Sequence, residues 1–297
     1  MCNYNILFYY IECCVCFKCI VIVVSCITNI ILDIVFVLVL GLGVVGVAAA
    51  TIICQIISAI LVIFTLSKTK NIYRFSPKDL RAHKKHLLRI LSLGIPAGVQ
   101  SLMYSSSNVL IQTAINEFGT DAVAAWAAYA KIDSLFWMVS SSFGIGVTTF
   151  VGQNYGAGLY KRVRQCVRQS ALIMTLVTIA FSIAFYIFGA QAFQLFTTDP
   201  EVMAIGDKML HYLCPFYITY TAIELFSGSL RGMGDSVRPM IISILGICCL
   251  RVLWILFAVP VWHYIETIEF SYPLTWITTS ILFIGYYFWY IKRRNIN

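Results

Sequence analysis

The sequence predicts an all-α integral membrane protein, a polytopic bundle of about eight transmembrane helices, and three observations carry that prediction. Hydrophobic residues make up 60% of the 297 and charged residues only 11%, with a mean hydropathy of +0.85, whereas a soluble domain is about 25% charged. Apolar runs long enough to cross a hydrocarbon core of about 30 Å as helix recur along nearly the whole chain. The basic residues alternate between loops. Most of the 21 Lys and Arg fall at Lys68–Arg89, at Lys161, Arg162, Arg164 and Arg168, at Arg231 and Arg238, and at Lys292, Arg293 and Arg294. The loops between them carry Glu117, Asp121, Asp199, Glu201, Asp207, Glu266 and Glu269. This positive-inside pattern places the C-terminus in the cytoplasm, and it assigns the net charge of +8 to membrane topology rather than to nucleic-acid binding.

The spans read at 16–40, 44–66, 90–115, 122–151, 167–189, 206–230, 238–261 and 271–291. Residues 1–15 carry neither a basic leader nor a small-residue cleavage site, so they do not read as a signal peptide. The long polar interruption divides the chain into a partial N-terminal lobe of two helices (1–66), a cytoplasmic basic linker (67–89) and a six-helix C-terminal lobe (90–297). Each lobe ends on a helix pair with a polar mark in its leading member and basic residues after its second. That faint repeat is the kind from which transporters are built.

Of the 11 cysteines, Cys16 and Cys19 form a CxxC. No histidine lies nearby, and Cys26, Cys54, Cys214, Cys248 and Cys249 sit inside spans as small apolar residues, so no metal or cofactor is expected.

Polar residues inside the spans carry the functional reading. Asn29 and Asp33, at i and i+4, share a helix face. The chain turns near Leu42 between Gly41 and Gly43, and Thr51 lies as far after the turn as Asp33 lies before it. Both are then roughly 13 Å from the outer surface at about 1.5 Å per residue. A carboxylate at that depth is protonated, paired or holding a cation. Asp, Asn and Thr oxygens suit Na⁺ or a proton, or else an interhelical clamp. Glu224, Lys131, Asp133 and Arg251 are further intramembrane charges. They read either as a structural set in which Lys131 or Arg251 neutralises Glu224 or Asp133, or as a protonation switch at Glu224 or at the Lys131/Asp133 pair. Tyr104, Trp126, Tyr129, Trp137, Tyr217 and Tyr220 read mainly as packing, with a cavity for flat organic cations as the alternative. The glycine-rich GQNYGAG (152–158) and SLRGMGDSVRP (229–239) read as tight turns with close helix packing, not as phosphate loops.

These segments resemble the multidrug and toxic compound extrusion family, prokaryotic branch. FVGQNYGAG is similar to the end of that family's eighth helix, and SGSLRGMGDSVRPM to its tenth-to-eleventh junction. SLGIPAGVQSLMYSSSNVLIQ resembles its seventh helix, and TNIILDIVFVLVLGLGVVGVAAATIICQ its fifth and sixth. The resemblance implies two six-helix lobes around a central cavity, with cationic drugs exported in exchange for Na⁺ or H⁺. It assigns Asn29, Asp33 and Thr51 to the coupling site, places Gln100 and Tyr104 in the seventh-helix region where other members carry an acid, and puts Glu224, one turn beyond Tyr220, near a tenth-helix acid. The family's first four helices have no counterpart here.

The expectation is therefore a cation-coupled multidrug antiporter of the inner membrane, multi-pass and monomeric. Its coupling set is Asn29, Asp33, Thr51, Glu224, Lys131 and Asp133, and Gln100, Tyr104, Trp137 and Tyr220 face a drug cavity. Its partners are small organic cations and lipid. The rivals are a lipid-linked sugar flippase of related fold, a truncated fragment without activity, and a membrane-embedded hydrolase using His263, Glu266 and Glu269 as a metal site.

Overall fold

A computed structural model describes residues 23–68 and 83–294, and among them every regular element is helical. The chain forms two units, Met1–Ala82 and His83–Asn297.

In the first unit, α1 (Val23–Val39) loosens over its last turn, Val35–Val39, into a π-helical turn. It reverses into α2 (Gly43–Lys68). The reversal needs left-handed backbone, which glycine supplies without steric cost: Gly41 and Gly43 have φ of +64° and +52°. The hairpin then closes on small residues. Gly46, Ala50 and Cys54, four apart, are the buried positions of α2. A Cβ on Gly46 would lie 3.0 Å from those of Leu42 and Phe36, and the Cys54 thiol donates to the carbonyl of Ser25 at 2.7 Å. Small residues at helical spacing are how helices approach closely where lipid offers no hydrophobic drive between them.

The second unit holds α3 (Lys84–Asn116), α4 (Thr120–Gly156) and α5 (Tyr160–Phe193). The chain continues as α6 (Pro200–Leu213) and α7 (Tyr217–Gly232), then α8 (Val237–Ala258) and α9 (Ile265–Arg293). The helices enter the expected linker from both sides, α2 to Lys68 and α3 from Lys84; positions 69–82 lie outside the described residues, as do Cys16 and Cys19.

Among the described residues five helices are long and apolar enough to cross a membrane: α2, α4, α5, α8 and α9. The shortfall from eight has local causes. Serines and the opening lysines dilute α3, and α1 as described is short. The span expected at 206–230 is split by a 3₁₀ turn at Cys214–Phe216 around Pro215, which has no N–H to continue the helix. The Ser182 hydroxyl donates to the Cys214 carbonyl at 2.9 Å, the kind of side-chain repair that lets a helix break inside a bilayer.

α4 and α7 cross backbone against backbone, and the crossing uses both glycine motifs. A Cβ on Gly228 would meet the Gly144 carbonyl oxygen at 2.8 Å, and one on Gly232 the Thr148 carbonyl oxygen at 2.7 Å. A Cβ on Gly152 would lie 3.3 Å from the Gly232 carbonyl oxygen. The Thr148 hydroxyl donates across the crossing to the Gly228 carbonyl at 3.0 Å. Around this seam lie the fully buried Tyr217, Ile223, Leu230, Trp276 and Phe283. The outward faces are apolar and exposed, as at Leu172, Leu176, Ile183 and Ile187 of α5, which suits contact with lipid.

Candidate functional site

Two neighbouring cavities of the second unit share part of their lining. The larger, about 510 Å³, is lined by Trp126, Tyr129 and Trp137 of α4, by Tyr272 and Trp276 of α9, and by two charged residues, Asp133 and Arg251. The smaller, about 200 Å³, is lined by Gln100, Ser101, Glu224 and Arg231. Tyr104 and Tyr220 line both, so these two phenols form the partition. All four residues expected at a drug cavity, Gln100, Tyr104, Trp137 and Tyr220, reach one cavity or the other.

The aromatic wall is interlocked. Trp137 meets Tyr220 edge-on with ring centroids 4.5 Å apart, and Trp276 sits 5.9 Å from both. Tyr272 and Trp276, one turn apart on α9, are 5.4 Å apart. Such edge-to-face arrays fix ring orientation and leave negatively polarised faces for a ligand.

Asp133 is 8% exposed, and both carboxylate oxygens are taken. Tyr217 donates its hydroxyl to Oδ1 at 2.6 Å, and Trp137 donates Nε1–H to Oδ2. Tyr129 extends the chain to Tyr217 at 3.2 Å between hydroxyls. The supporting Tyr217 ring is stacked on Phe136 at 4.3 Å. Asp133 is thus clamped by neutral donors.

Glu224 is held differently. Tyr220 donates to Oε2 at 3.3 Å, and Arg231 approaches Oε1 at 3.7 Å, a distance too long for a hydrogen bond. The carboxylate rests on bare backbone, since a Cβ on Gly144 would lie 2.0 Å from Oε1.

The ion-pair expectations are corrected here. Arg231, two turns along α7, is the cation within ion-pair distance of Glu224; Lys131 and Arg251 are not. Lys131 is exposed and makes no ion pair with Asp133, because residues two apart on a helix point to different sides. In the first unit, Asn29 Nδ2 and Asp33 Oδ1 are buried without a hydrogen-bond partner. Thr51 is exposed, and its hydroxyl donates to the Val47 carbonyl of its own helix at 2.9 Å. No hydrogen bond joins the three. Thr51 follows Ala50 and so lies about 100° off the Gly46/Ala50/Cys54 face that meets α1.

The metal reading of the outer loop also fails. His263 stacks on Phe118 at 4.5 Å, Glu266 pairs with Lys208, and Glu269 is buried. Among the described residues no group of three or more His, Cys, Asp or Glu is placed to hold a metal ion.

Sequence reasoning missed Tyr272 and Trp276. Their i, i+4 spacing beside Thr275 was the available signal, but it did not say which side of α9 faces inward. Arg251 was visible as a charge within a span, yet only the fold places it among aromatics.

An apolar exterior around polar and aromatic cavities defines a multi-pass helical membrane protein with an internal binding space. The chain belongs to the MatE family, whose model matches residues 96–257. It is 28% identical over 262 residues to the probable multidrug resistance protein YoeA of Bacillus subtilis (strain 168), covering 86% of this chain and 56% of that protein. It is 24% identical over 213 residues to the probable multidrug resistance protein NorM of Thermotoga maritima, covering 71% and 45%. Its fold matches an outward-facing multidrug resistance MATE family transporter of the MOP superfamily with a TM-score of 0.85 and 20% identity, covering 94% of this chain and 63% of that one. The chain spans about half the length of the curated relatives it matches. These similarities make it a protein of a transporter family, not an enzyme.

Proposed function

We propose that the protein works in a cation-coupled multidrug antiporter that exports organic cations across the inner membrane, with its C-terminus in the cytoplasm. The relatives named for multidrug resistance support the drug class. The aromatic cavity supports a flat, positively charged ligand, because ring faces attract cations most strongly where water is excluded.

The observation that carries the coupling is the loose seat of Glu224. A carboxylate at membrane depth with one long hydrogen bond and one distant arginine retains unsatisfied acceptor capacity, so a proton or Na⁺ gains a large share of its interaction energy there. Tyr104 and Tyr220 line both this site and the aromatic cavity. Tyr220 reaches both sides, through its ring to Trp137 and through its hydroxyl to Glu224. Neutralising Glu224 releases Tyr220, and a ligand that displaces the ring weakens the hold on Glu224. Exchange then follows from a ligand and an ion that favour different settings of one element. Asn29 and Asp33, with buried partnerless atoms in the α1–α2 hairpin, are a second ion-binding pair under the same logic, with Thr51 at its margin. Lys131 stands outside the mechanism.

The test is efflux of ethidium from drug-sensitive cells expressing the chain. Glu224→Gln and Asp33→Asn should each abolish ion-dependent efflux at unchanged membrane expression. Unaltered efflux in both variants would refute ion coupling at these carboxylates.

A further inference from the structure

A further cavity, of about 290 Å³, lies between α3 and α8 and shares no lining residue with the two described above. Its walls are two matched helix stripes. Positions 110, 113, 114 and 117 of one and 252, 255, 256 and 259 of the other repeat at i, i+3, i+4 and i+7, the spacing that keeps side chains on one face of a helix. The stripes are apolar along the helices, as at Leu110, Ala114, Ile255 and Leu256, and polar toward one end, where Thr113, Glu117 and His263 stand.

That end is where both helices stop, the outer face in the topology proposed above. Glu117 is the C-cap of α3, and α8 ends at Ala258. The last carbonyls of a helix carry a partial negative charge, so two helix C-termini and a carboxylate bring negative potential to one mouth. Among the described residues no lysine or arginine lines the cavity, and Glu117 makes no ion pair. The Thr113 hydroxyl donates to the Val109 carbonyl at 3.0 Å, which leaves its oxygen able to accept. His263 supplies the complementary group: its ring is stacked on Phe118 at 4.5 Å, and an imidazole carries an N–H in either protonation state. Aromatic residues mark the level in the membrane. Trp262 and Tyr264, 55% and 66% exposed, flank His263, and Trp and Tyr gather where headgroups meet acyl chains. Leu256 and Phe257, exposed on α8, continue the apolar surface from there.

We infer that the α3/α8 cavity binds a phospholipid with a primary ammonium headgroup, of the phosphatidylethanolamine type. The ammonium is taken by Glu117 and Thr113, the phosphate accepts from His263, and an acyl chain follows the apolar stripes. A primary ammonium has three N–H donors for these acceptors, whereas a trimethylated one has none. The inference does not depend on what the aromatic cavity carries.

The test is native mass spectrometry of the full chain released from micelles that hold equal amounts of phosphatidylethanolamine and phosphatidylcholine with identical acyl chains. Retained phosphatidylethanolamine should exceed phosphatidylcholine by about fivefold or more, the ratio that one net hydrogen bond sets. Glu117→Gln should bring the two lipids to near parity, and His263→Ala should lower retention of both while keeping their ratio. In wild type, retention should fall stepwise as the headgroup nitrogen is methylated once, twice and three times, a series that decides even where a variant fails to fold. Equal retention of the two lipids by wild type, or an ethanolamine preference that survives in Glu117→Gln, overturns the inference. So does Glu117-dependent binding of dodecylammonium with no phospholipid retained, which assigns the cavity to soluble amines.

Discussion

Two carboxylates sit on one helix crossing and are held in opposite ways. Asp133 projects from α4 and is clamped by Tyr217 of α7, while Glu224 projects from α7 and rests on Gly144 of α4. Tyr217 and Glu224 are seven residues apart, about 10 Å along the helix. At the upper site two aromatic donors fill both oxygens. At the lower site the contacts are 3.3 and 3.7 Å. A carboxylate with both oxygens occupied gains little from an added ion and is best suited to orienting its neighbours, here Trp137 at the cavity wall. One that is half satisfied has the most to gain from a proton or Na⁺, and release then needs a setting of the helices in which Tyr220 or Arg231 holds it more closely than at 3.3 and 3.7 Å.

The largest expected effect breaks the crossing that supports both. Gly228→Ala drives a Cβ into the Gly144 carbonyl, and backbone cannot move aside as a side chain can. Overpacking of this kind costs about 1–3 kcal/mol or more, so folded protein recovered in detergent should fall sharply. A variant as stable as wild type would show that the helices are not this close. Gly144→Ala is gentler on the fold, because the atom it meets ends a flexible glutamate. It should displace Glu224 and suppress ion dependence while Asp133 and its donors stay in place, which separates the two sites functionally. Recovery of wild-type ion dependence would mean that the seat on Gly144 does not matter.

Next in size is Tyr217→Phe, which removes one donor from Asp133. A hydrogen bond to a charged group contributes about 1.5–3 kcal/mol, so the thermal unfolding midpoint should drop while ion dependence persists. Loss of ion dependence instead would reverse the roles assigned to the two carboxylates. The smallest effect is expected at Lys208→Ala. Its ion pair with Glu266 is exposed on both sides, and exposed pairs contribute little to stability, so the unfolding midpoint should not move measurably.

Much of this arrangement was legible beforehand. Long apolar runs gave the helices, because spanning a bilayer requires a length and a polarity that one sequence displays directly. Glu224, Asp133 and Asp33 stood out because acids are costly inside spans. What failed was anything that depends on helix rotation. Asp133 and Lys131 are close in sequence but point apart, Thr51 lies off the face of α2 that is buried at Gly46, Ala50 and Cys54, and Arg231 reaches Glu224 along the helix where a neighbouring helix was expected to supply the cation. Arg251 shows the same limit from the other side. Its charge was plain, but the Tyr272 ring and the Thr275 hydroxyl that hold it come from α9, which the sequence around it does not show.

The proposed coupling depends on Glu224 exchanging positive charge against a bound drug. Ethidium binding to the purified chain, measured at falling pH and at rising sodium, tests it most directly. Protons or Na⁺ should weaken ethidium binding to wild type and to Asp133→Asn, and the dependence should be flat in Glu224→Gln. Wild-type competition preserved in Glu224→Gln, or lost in Asp133→Asn alone, would contradict it.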